Sequence, residues 1–370
     1  MQDNHVAVKS RKRKQRRNEN RILFGSIILC IVTLSAITFC LMMLFQYRAS
    51  RLETQEAMAQ IEVMQNRYSQ EEVDALLAEK MEVAAGESAE RTKEEMLTQM
   101  KELMLSGEGA LHMLREFFPD EVVLVDKNQY YFFPVVETLA QNTYAQGEFV
   151  LNDEGFMEYY ENQQLLSHKG IDVSKYQEKI DWKEVAGSDI EYAFIRLGIR
   201  GYTEGEILED DRFEYNINGA LDNNIEVGVY FFTQAISVEE AKEEADFVLD
   251  ALEGYDITYP VVLDVEAVTN DNARTLGLTK EERTKYCIAF CERIKQAGYQ
   301  PMIYGNLKTF ILMLDLEQLE EYDKWFAHYD EQYYFPYQFK VWQYTDSGQV
   351  PGIEGDVDIN ISFENLASGQ

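Results

Sequence analysis

Short apolar runs recur along the second half of the chain, often with helix-like stretches between them. They predict strands at residues 170–174, 192–198, 226–233, 260–266, 300–306, 324–329, 339–345 and 357–362. The clearest helical periodicity falls at about 213–224, 237–252, 280–297 and 308–320. Buried strands that alternate with helices form parallel sheets, and eight such strands suit a closed barrel. We therefore predict an α/β fold, an irregular TIM-like (β/α)5(β)3 barrel over residues 166–370, with late connections too short for full helices.

Residues 107–165 have a different pattern. The stretch EVVLVDKNQYYFFPVVE (121–137) is β-like and aromatic, and NDEG (152–155) reads as a turn. The stretch FMEYYENQQLL (156–166) is interpreted as a helix. These features predict a small α+β module, to which we assign no chemistry.

An uncharged apolar run of 24 residues occupies positions 22–45. As a helix, it would span the ~30 Å hydrocarbon core of a bilayer. Residues 1–21 carry eight Lys and Arg residues, which predicts a basic cytoplasmic tail with everything after residue 46 outside. A cleaved signal peptide is the alternative, but its apolar region is normally shorter and ends in a small-residue cleavage site. The pattern favours an uncleaved single-pass anchor in a bacterial cell membrane.

Residues 46–106 contain no proline and are rich in Glu, Gln, Lys, Met, Ala and Leu. Two candidate capping boxes, Ser69–Glu72 and Thr92–Glu95, precede apolar positions at helical spacing. This composition predicts a helical stalk interrupted near Gly86. The irregular heptads give only weak support to a coiled coil, through which the chain would form a homodimer.

The net charge of the chain is −32, and outside the first 21 residues it is strongly acidic, which argues against a nucleic-acid partner. Cys287 and Cys291 lie four residues apart on a predicted helix, a spacing typical of two small apolar residues on a buried face. The four histidines show no HxxxH or HxH pairing. The sequence therefore predicts no metal and no cofactor.

Two acids, Asp264 and Glu266, interrupt the apolar run YPVVLDVEAV (259–268). Alternation along a strand puts both on the face of Val262, while Val261, Leu263 and Val265 share the opposite face. In a barrel with outer helices, the acids would point inward at the C-terminal strand ends, where such barrels keep their active sites. Two carboxyl groups in one enclosed mouth repel each other, which raises one pKa and leaves a proton available. Cleavage of a glycosidic bond needs such a pair.

Other strand ends carry further candidates. Asp172 and Asp358 lie on the first and last strands, and a sugar chain would suit the aromatic and amide side chains between them. The candidate substrate-binding residues are Arg196, Tyr230, Tyr304, Asn306, Trp342 and Gln343.

Structural alternatives stay open for these positions. Either aspartate could instead cap a helix or turn from a loop, and Arg196 could be a structural counter-ion to the carboxylates. The tyrosines could pack inside the barrel without contacting substrate. Trp342 and Gln343 alternate, so a regular strand cannot turn both inward, and Trp325 and Phe326 pose the same question. His328 is interpreted as structural.

These segments resemble the glycoside hydrolase family 25 lysozymes, the N-acetylmuramidases of bacteria and phage. The resemblance runs in order over residues 170 to about 365 and rests on GIDVSKYQEKIDW (170–182), FIRLGIRG (194–201), VGVYFFTQAIS (227–237), YPVVLDVE (259–266), GYQPMIYGN (298–306), WFAHY (325–329), VWQYT (341–345) and GIEGDVDIN (352–360).

The resemblance implies hydrolysis of the β-1,4 bond between N-acetylmuramic acid and N-acetylglucosamine in peptidoglycan. It places the family's four acidic positions on Asp172, Asp264, Glu266 and Asp358. Glu266 would be the general acid, Asp264 would orient the substrate's 2-acetamido group, and the other two would stabilise charge or position substrate. Two alternatives remain: a non-catalytic, membrane-tethered peptidoglycan-binding scaffold, and a metal-dependent deacetylase or amidase.

Overall fold

The computed structural model describes residues 91–102 and 109–367. The predicted basic tail, the apolar segment 22–45 and the stalk up to residue 90 lie outside the described residues. Residues 91–102 are helical. Within the described ranges, no helix combines the length and apolar character needed to cross a membrane. Contacts separate the described residues into two units, with the boundary between Met113 and Leu114.

The second unit starts within helix α1 (Gly109–Phe117), which leads into the hairpin of β1 (Glu121–Asp126) and β2 (Gln129–Pro134). A three-stranded antiparallel sheet follows, formed by β3 (Phe149–Leu151), β4 (Met157–Glu161) and β5 (Gln164–Leu165). The helix predicted over 156–166 is therefore wrong. Met157 and Tyr159 are buried on alternate positions of a strand, and Asn162 and Gln163 turn the chain with positive φ angles of 52° and 66°.

The barrel is a closed sheet, as predicted. Around the barrel the strands follow the order β6, β14, β13, β12, β11, β10, β9, β7 and back to β6, and only β14 is antiparallel to its neighbours. The strands are β6 (His168–Val173), β7 (Tyr192–Arg200), β9 (Glu226–Phe232), β10 (Val261–Asp264), β11 (Pro301–Asn306), β12 (Asp323–Ala327), β13 (Val341–Gly348) and β14 (Val357–Ser362). The short strand β8 (Ile207–Glu209) extends β7 as a hairpin.

Helices cover the barrel over its first five parallel strands. They are α2 (Trp182–Ala186), α3 (Phe213–Asp222), α4 (Val238–Ala251) and α5 (Lys280–Gln296). A helix was predicted over 308–320, but the structure has only one π-helical turn there, Thr309–Met313. Leu314 is extended, and the Asp315 side chain accepts a hydrogen bond from the backbone N–H of Glu317. The helix does not continue because this side chain competes for a backbone group that a helix would use.

The two faces of the sheet differ in what they pack against. Val261, Leu263 and Val265 belong to the outer core, whereas Val262 belongs to an inner cluster with the aromatic residues Tyr192, Phe194, Tyr304 and Trp325. Gly170 leaves room for this cluster, because a Cβ there would meet the Tyr192 ring at 2.1 Å.

Residues 114–165 cover the part of the barrel where outer helices are missing. Phe149 contacts Trp342 with ring centroids 5.4 Å apart, and Tyr144 stacks on Phe363 at 3.8 Å. The backbone N–H of Met157 donates to the Tyr344 hydroxyl at 3.0 Å. The small sheet and the barrel thus share one hydrophobic core.

Candidate active site

A cleft of about 410 Å³ opens at the C-terminal ends of the barrel strands. It is lined by Asp172, Ser174, Tyr176, Gln177, Arg196, Ile199, Tyr202, Tyr230, Phe232, Asp264, Glu266, Tyr304, Trp325, Tyr329, Gln343 and Asp358. All four acids predicted from the sequence to be catalytic therefore lie around a single opening.

Asp264 is the last residue of β10, and Glu266 lies two residues beyond the strand. The Asp264 carboxyl is 5% exposed and its Oδ1 has no hydrogen-bond partner, whereas Glu266 is only partly buried. The two carboxyl groups are in hydrogen-bonding contact. Burial, together with repulsion by Glu266 and Asp172, raises the pKa of Asp264 well above its usual range. Burial also raises the pKa of Glu266, while the hydrogen bond with Asp264 lowers it, so the two carboxyl groups titrate as a coupled pair whose ionisation is disfavoured.

Asp172 lies on β6 in a cradle of amide donors. Its Oδ2 accepts hydrogen bonds from Gln343 Nε2 and Asn360 Nδ2, both at 2.8 Å. The indole N–H of Trp325 donates to Asn360 Oδ1 at 2.7 Å, and since an indole only donates, it turns the Asn360 amide group toward Asp172. The hydroxyls of Tyr304 and Tyr329 donate to Gln343 Oε1 and orient that amide in the same way.

These donors oppose the effect of burial on Asp172. Burial is the largest influence and raises the pKa of Asp172 to about 6, while the two amide hydrogen bonds lower it and the charge of Glu266 raises it. Asp172 is thus held as an ionised acceptor at neutral pH.

Asp358 lies directly opposite Asp172 across the antiparallel pair β14–β6. Burial raises the pKa of Asp358 to about 8, and repulsion by Asp172, Asp346 and Glu266 adds to this. Like charges at facing positions of two strands destabilise a sheet, so this placement is costly for the fold.

Arg196 lines the cleft, but its ion pair is with another acid. Its Nη2 lies 2.6 Å from Asp210 Oδ2, and Nε donates to the same oxygen at 2.7 Å. Its guanidinium also lies 5.0 Å from the centre of the Tyr176 ring. The ion pair of Arg196 is therefore with Asp210 and not with one of the four cleft acids, and Arg196 lies at the cleft wall.

The remaining candidates divide by strand face. Tyr230, Tyr304 and Gln343 line the cleft, and so does Trp325, while Phe326 belongs to the outer core. Trp342 does not line it: its ring is fully buried on the outer face, and Nε1 donates to the His328 carbonyl at 2.8 Å. Alternation along β13 turned Gln343 inward and Trp342 outward.

Asn306 is also absent from the cleft lining. Its Oδ1 accepts from the backbone N–H groups of Lys308 and Thr309 at 3.0 and 3.1 Å, so it caps the π-helical turn. An Asn at a strand end followed by a turn fits this capping role as well as it fits sugar binding.

Sequence reasoning missed several lining residues, above all Tyr176, Tyr202 and Tyr329, whose side chains are 76%, 44% and 51% exposed. Tyr329 was within a predicted strand, and the other two follow strand ends. Aromatic residues in the loops just after each strand were the available signal.

Other sequence predictions concern residues outside the cleft lining. Cys287 and Cys291 are free and buried, as expected for packing residues, and burial raises the pKa of the Cys287 thiol to about 12. The His328 ring stacks on Phe326 with centroids 5.9 Å apart. In the described ranges, no group of three or more His, Cys, Asp or Glu residues is arranged to hold a metal ion.

The profile of glycosyl hydrolases family 25 matches residues 171–353. The uncharacterised protein YegX of Escherichia coli K12 is 33% identical over 207 residues, which cover 52% of this chain and 68% of YegX. Lysozyme M1 of Streptomyces globisporus is 27% identical over 203 residues, covering 52% of this chain and 66% of that lysozyme.

Among solved structures, the modular autolysin LytC of Streptococcus pneumoniae, in complex with a synthetic peptidoglycan ligand, is similar at 24% identity and a TM-score of 0.49. The match covers 65% of this chain and 57% of the autolysin, so the chain spans little more than half of that protein's length. The profile match and the similarity to YegX show that the chain belongs to family 25 of the glycosyl hydrolases and is a glycoside hydrolase.

Proposed function

We propose that this protein is a lysozyme that cleaves the β-1,4 bond between N-acetylmuramic acid and N-acetylglucosamine in peptidoglycan. The observation that carries the proposal is the Asp264–Glu266 pair, two carboxyl groups in contact whose pKa values are both raised, beside Asp172 in one cleft. Relatives named as lysozymes support the substrate class.

Glu266 is the general acid of the proposed reaction, because it is the more exposed member of the pair and can reach the leaving oxygen. Asp264 holds the substrate's 2-acetamido group, whose carbonyl oxygen attacks C1 as the C1–O bond breaks and the proton passes from Glu266 to the leaving oxygen. Water then opens the cyclic intermediate, with the Glu266 carboxylate as base. The Asp172 carboxylate stabilises the positive charge that develops on the sugar, and Asp358 positions the substrate.

Aromatic side chains supply the binding surface of the proposed site. Tyr176, Tyr202 and Tyr329 are exposed around the cleft and offer faces on which pyranose rings stack. The amide groups and hydroxyls deeper in the cleft form hydrogen bonds with sugar hydroxyls and so select for them.

The test is mass spectrometry of peptidoglycan digested by the full chain. New reducing-end muramic acid supports the proposal, and reducing-end glucosamine contradicts it. Glu266→Gln is the matched inactive variant, and Glu253→Gln, an exposed carboxylate away from the cleft, is the control.

If the unaltered chain binds glycan but releases no fragment, and Glu266→Gln binds equally well, the protein is a scaffold. If a chelator abolishes release, the metal-dependent alternative holds.

We also propose that the apolar segment 22–45 anchors the hydrolase in the bacterial cell membrane, with the stalk holding it at the inner face of the wall. A stalk of ~60 helical residues reaches up to ~90 Å, and tethering raises the local concentration of an acidic enzyme at an anionic wall. Removing residues 1–45 should reduce activity on intact walls far more than on soluble glycan. Equal losses on both substrates would contradict this role.

A further inference from the structure

The loop between β12 and β13, residues 328–340, carries Tyr329 on the cleft wall and is held largely by residues 114–165. Within this loop, residues 333–338 each make a hydrogen bond with that segment through backbone or side-chain groups. Buried backbone groups need such partners, so the segment provides what a loop without regular structure cannot provide for itself.

Tyr334 contacts residues 114–165 through both its hydroxyl and its ring. Its hydroxyl accepts from the backbone N–H of Val123 at 2.8 Å and donates to the Glu121 carbonyl at 3.2 Å. The Arg115 guanidinium lies 3.6 Å from the centre of its ring, and Arg115 Nε donates to the Val123 carbonyl. A cation over an aromatic ring, with both partners fixed by further hydrogen bonds, makes a rigid contact.

The neighbouring positions extend this contact along the loop. The Tyr333 hydroxyl donates to the Tyr144 carbonyl, and Gln146 Nε2 donates to the Tyr333 carbonyl at 2.8 Å. The backbone N–H of Asn142 donates to the Pro336 carbonyl at 2.7 Å.

From this loop the connection runs into the cleft. Tyr329 lies four residues before Tyr333, and its hydroxyl donates to Gln343 Oε1 at 3.0 Å. Gln343 in turn donates to the Asp172 carboxylate. The segment 114–165, which lies outside the matched range 171–353, is thereby connected to an acid of the cleft.

We propose that residues 114–165 are a positioning element of the hydrolase: they fix the β12–β13 loop so that Tyr329 is ordered before the glycan binds. The inference rests on the proposed function for its substrate. Without the contacts of Tyr334, the loop and Tyr329 have to be ordered by the glycan itself, and that ordering weakens binding by about 2- to 10-fold.

The experiment compares Tyr334→Leu, Tyr329→Ala and the double variant in the full chain, with kcat and KM measured on soluble peptidoglycan glycan. Tyr334→Leu should raise KM about 2- to 10-fold, and the double variant should be no worse than Tyr329→Ala alone, since both changes act through Tyr329. Tyr160→Leu removes a tyrosine of the same segment that bonds Glu158, and should leave KM unchanged. Independent, additive losses in the double variant, or an unchanged KM in Tyr334→Leu, would overturn the proposal.

Arg115→Met is the milder variant if Tyr334→Leu does not fold. Hydrogen exchange gives a readout that needs no substrate: amides of residues 330–338 should exchange faster in Arg115→Met, while those of β10 and β11 keep their protection. Unchanged exchange in the loop overturns the positioning role even if the protein cleaves no peptidoglycan. If the unaltered chain fails to cleave but loop exchange responds as expected, the proposed substrate is wrong and the positioning role stands.

Discussion

Asp172 and Asp264 occupy the same cleft with the same 5% exposure, yet they differ in their hydrogen-bond donors. Asp172 receives two amide N–H groups, and its pKa rises only to about 6. Asp264 has a buried oxygen without a partner and a carboxyl neighbour in contact, and its pKa rises well above the usual range. Equal burial therefore raises the two pKa values to different extents, because donors stabilise a carboxylate and a second carboxyl group destabilises it.

The largest effect is expected from Glu266→Gln, which removes the route by which the shared proton reaches the leaving oxygen. Turnover should fall about 10²- to 10⁴-fold while glycan binding stays near normal. Steady-state kinetics and calorimetry of glycan binding measure the two quantities. A comparable loss of binding would mean that Glu266 mainly holds substrate.

Asp264→Asn should reduce turnover about 10²-fold and change the pH profile. The amide cannot ionise and donates a hydrogen bond at every pH, which favours the Glu266 carboxylate, so the pKa of Glu266 falls. A general acid works only when protonated, so the basic limb of the kcat profile should move to lower pH. If that limb stays where it is, the two acids do not share a proton.

Gln343→Met makes Asp172 more like Asp264 by removing one of its two donors at similar side-chain volume. The pKa of Asp172 should rise above about 6, so the acid limb of the profile should move to higher pH. Activity at pH 6 should fall about 10-fold, with a smaller loss at pH 8. A uniform loss at every pH would show that Gln343 acts only on substrate or on packing.

Asp358→Asn is expected to have the smallest effect on turnover, and its clearest effect should be on stability. The folded state raises the pKa of Asp358 to about 8, so this residue contributes stability below its ordinary pKa, which is lost as the pH rises through 8. Replacing it by a neutral residue should raise the unfolding temperature by about 2–4 °C at pH 8 and by less at pH 5. Calorimetry at the two pH values measures this, and an equal shift at both would point to a packing effect.

The sequence predicted much of the fold because period-two burial is a local property. Val261 to Val265 alternate between barrel core and helix-facing core as their spacing indicates, and Thr279 and Glu282 form the capping box that starts α5. The helix prediction was wrong at 156–166, where turn residues join two strands, and at 308–320, where side-chain competition for backbone groups ends the helix after one turn. The anchor, the stalk and the dimer stay predictions.

The sequence by itself determined that four acids lie at or near the ends of strands, since strand direction and side-chain alternation follow from the order of residues. Only the tertiary structure decided how far the pKa of each acid is raised, because the donors to Asp172 come from two strands far along the chain. It also decided that Trp342 faces outward, that Asn306 caps a turn, and that residues 114–165 form hydrogen bonds with the β12–β13 loop, which carries Tyr329. Each of these outcomes depends on contacts between residues distant in sequence, which no local pattern encodes.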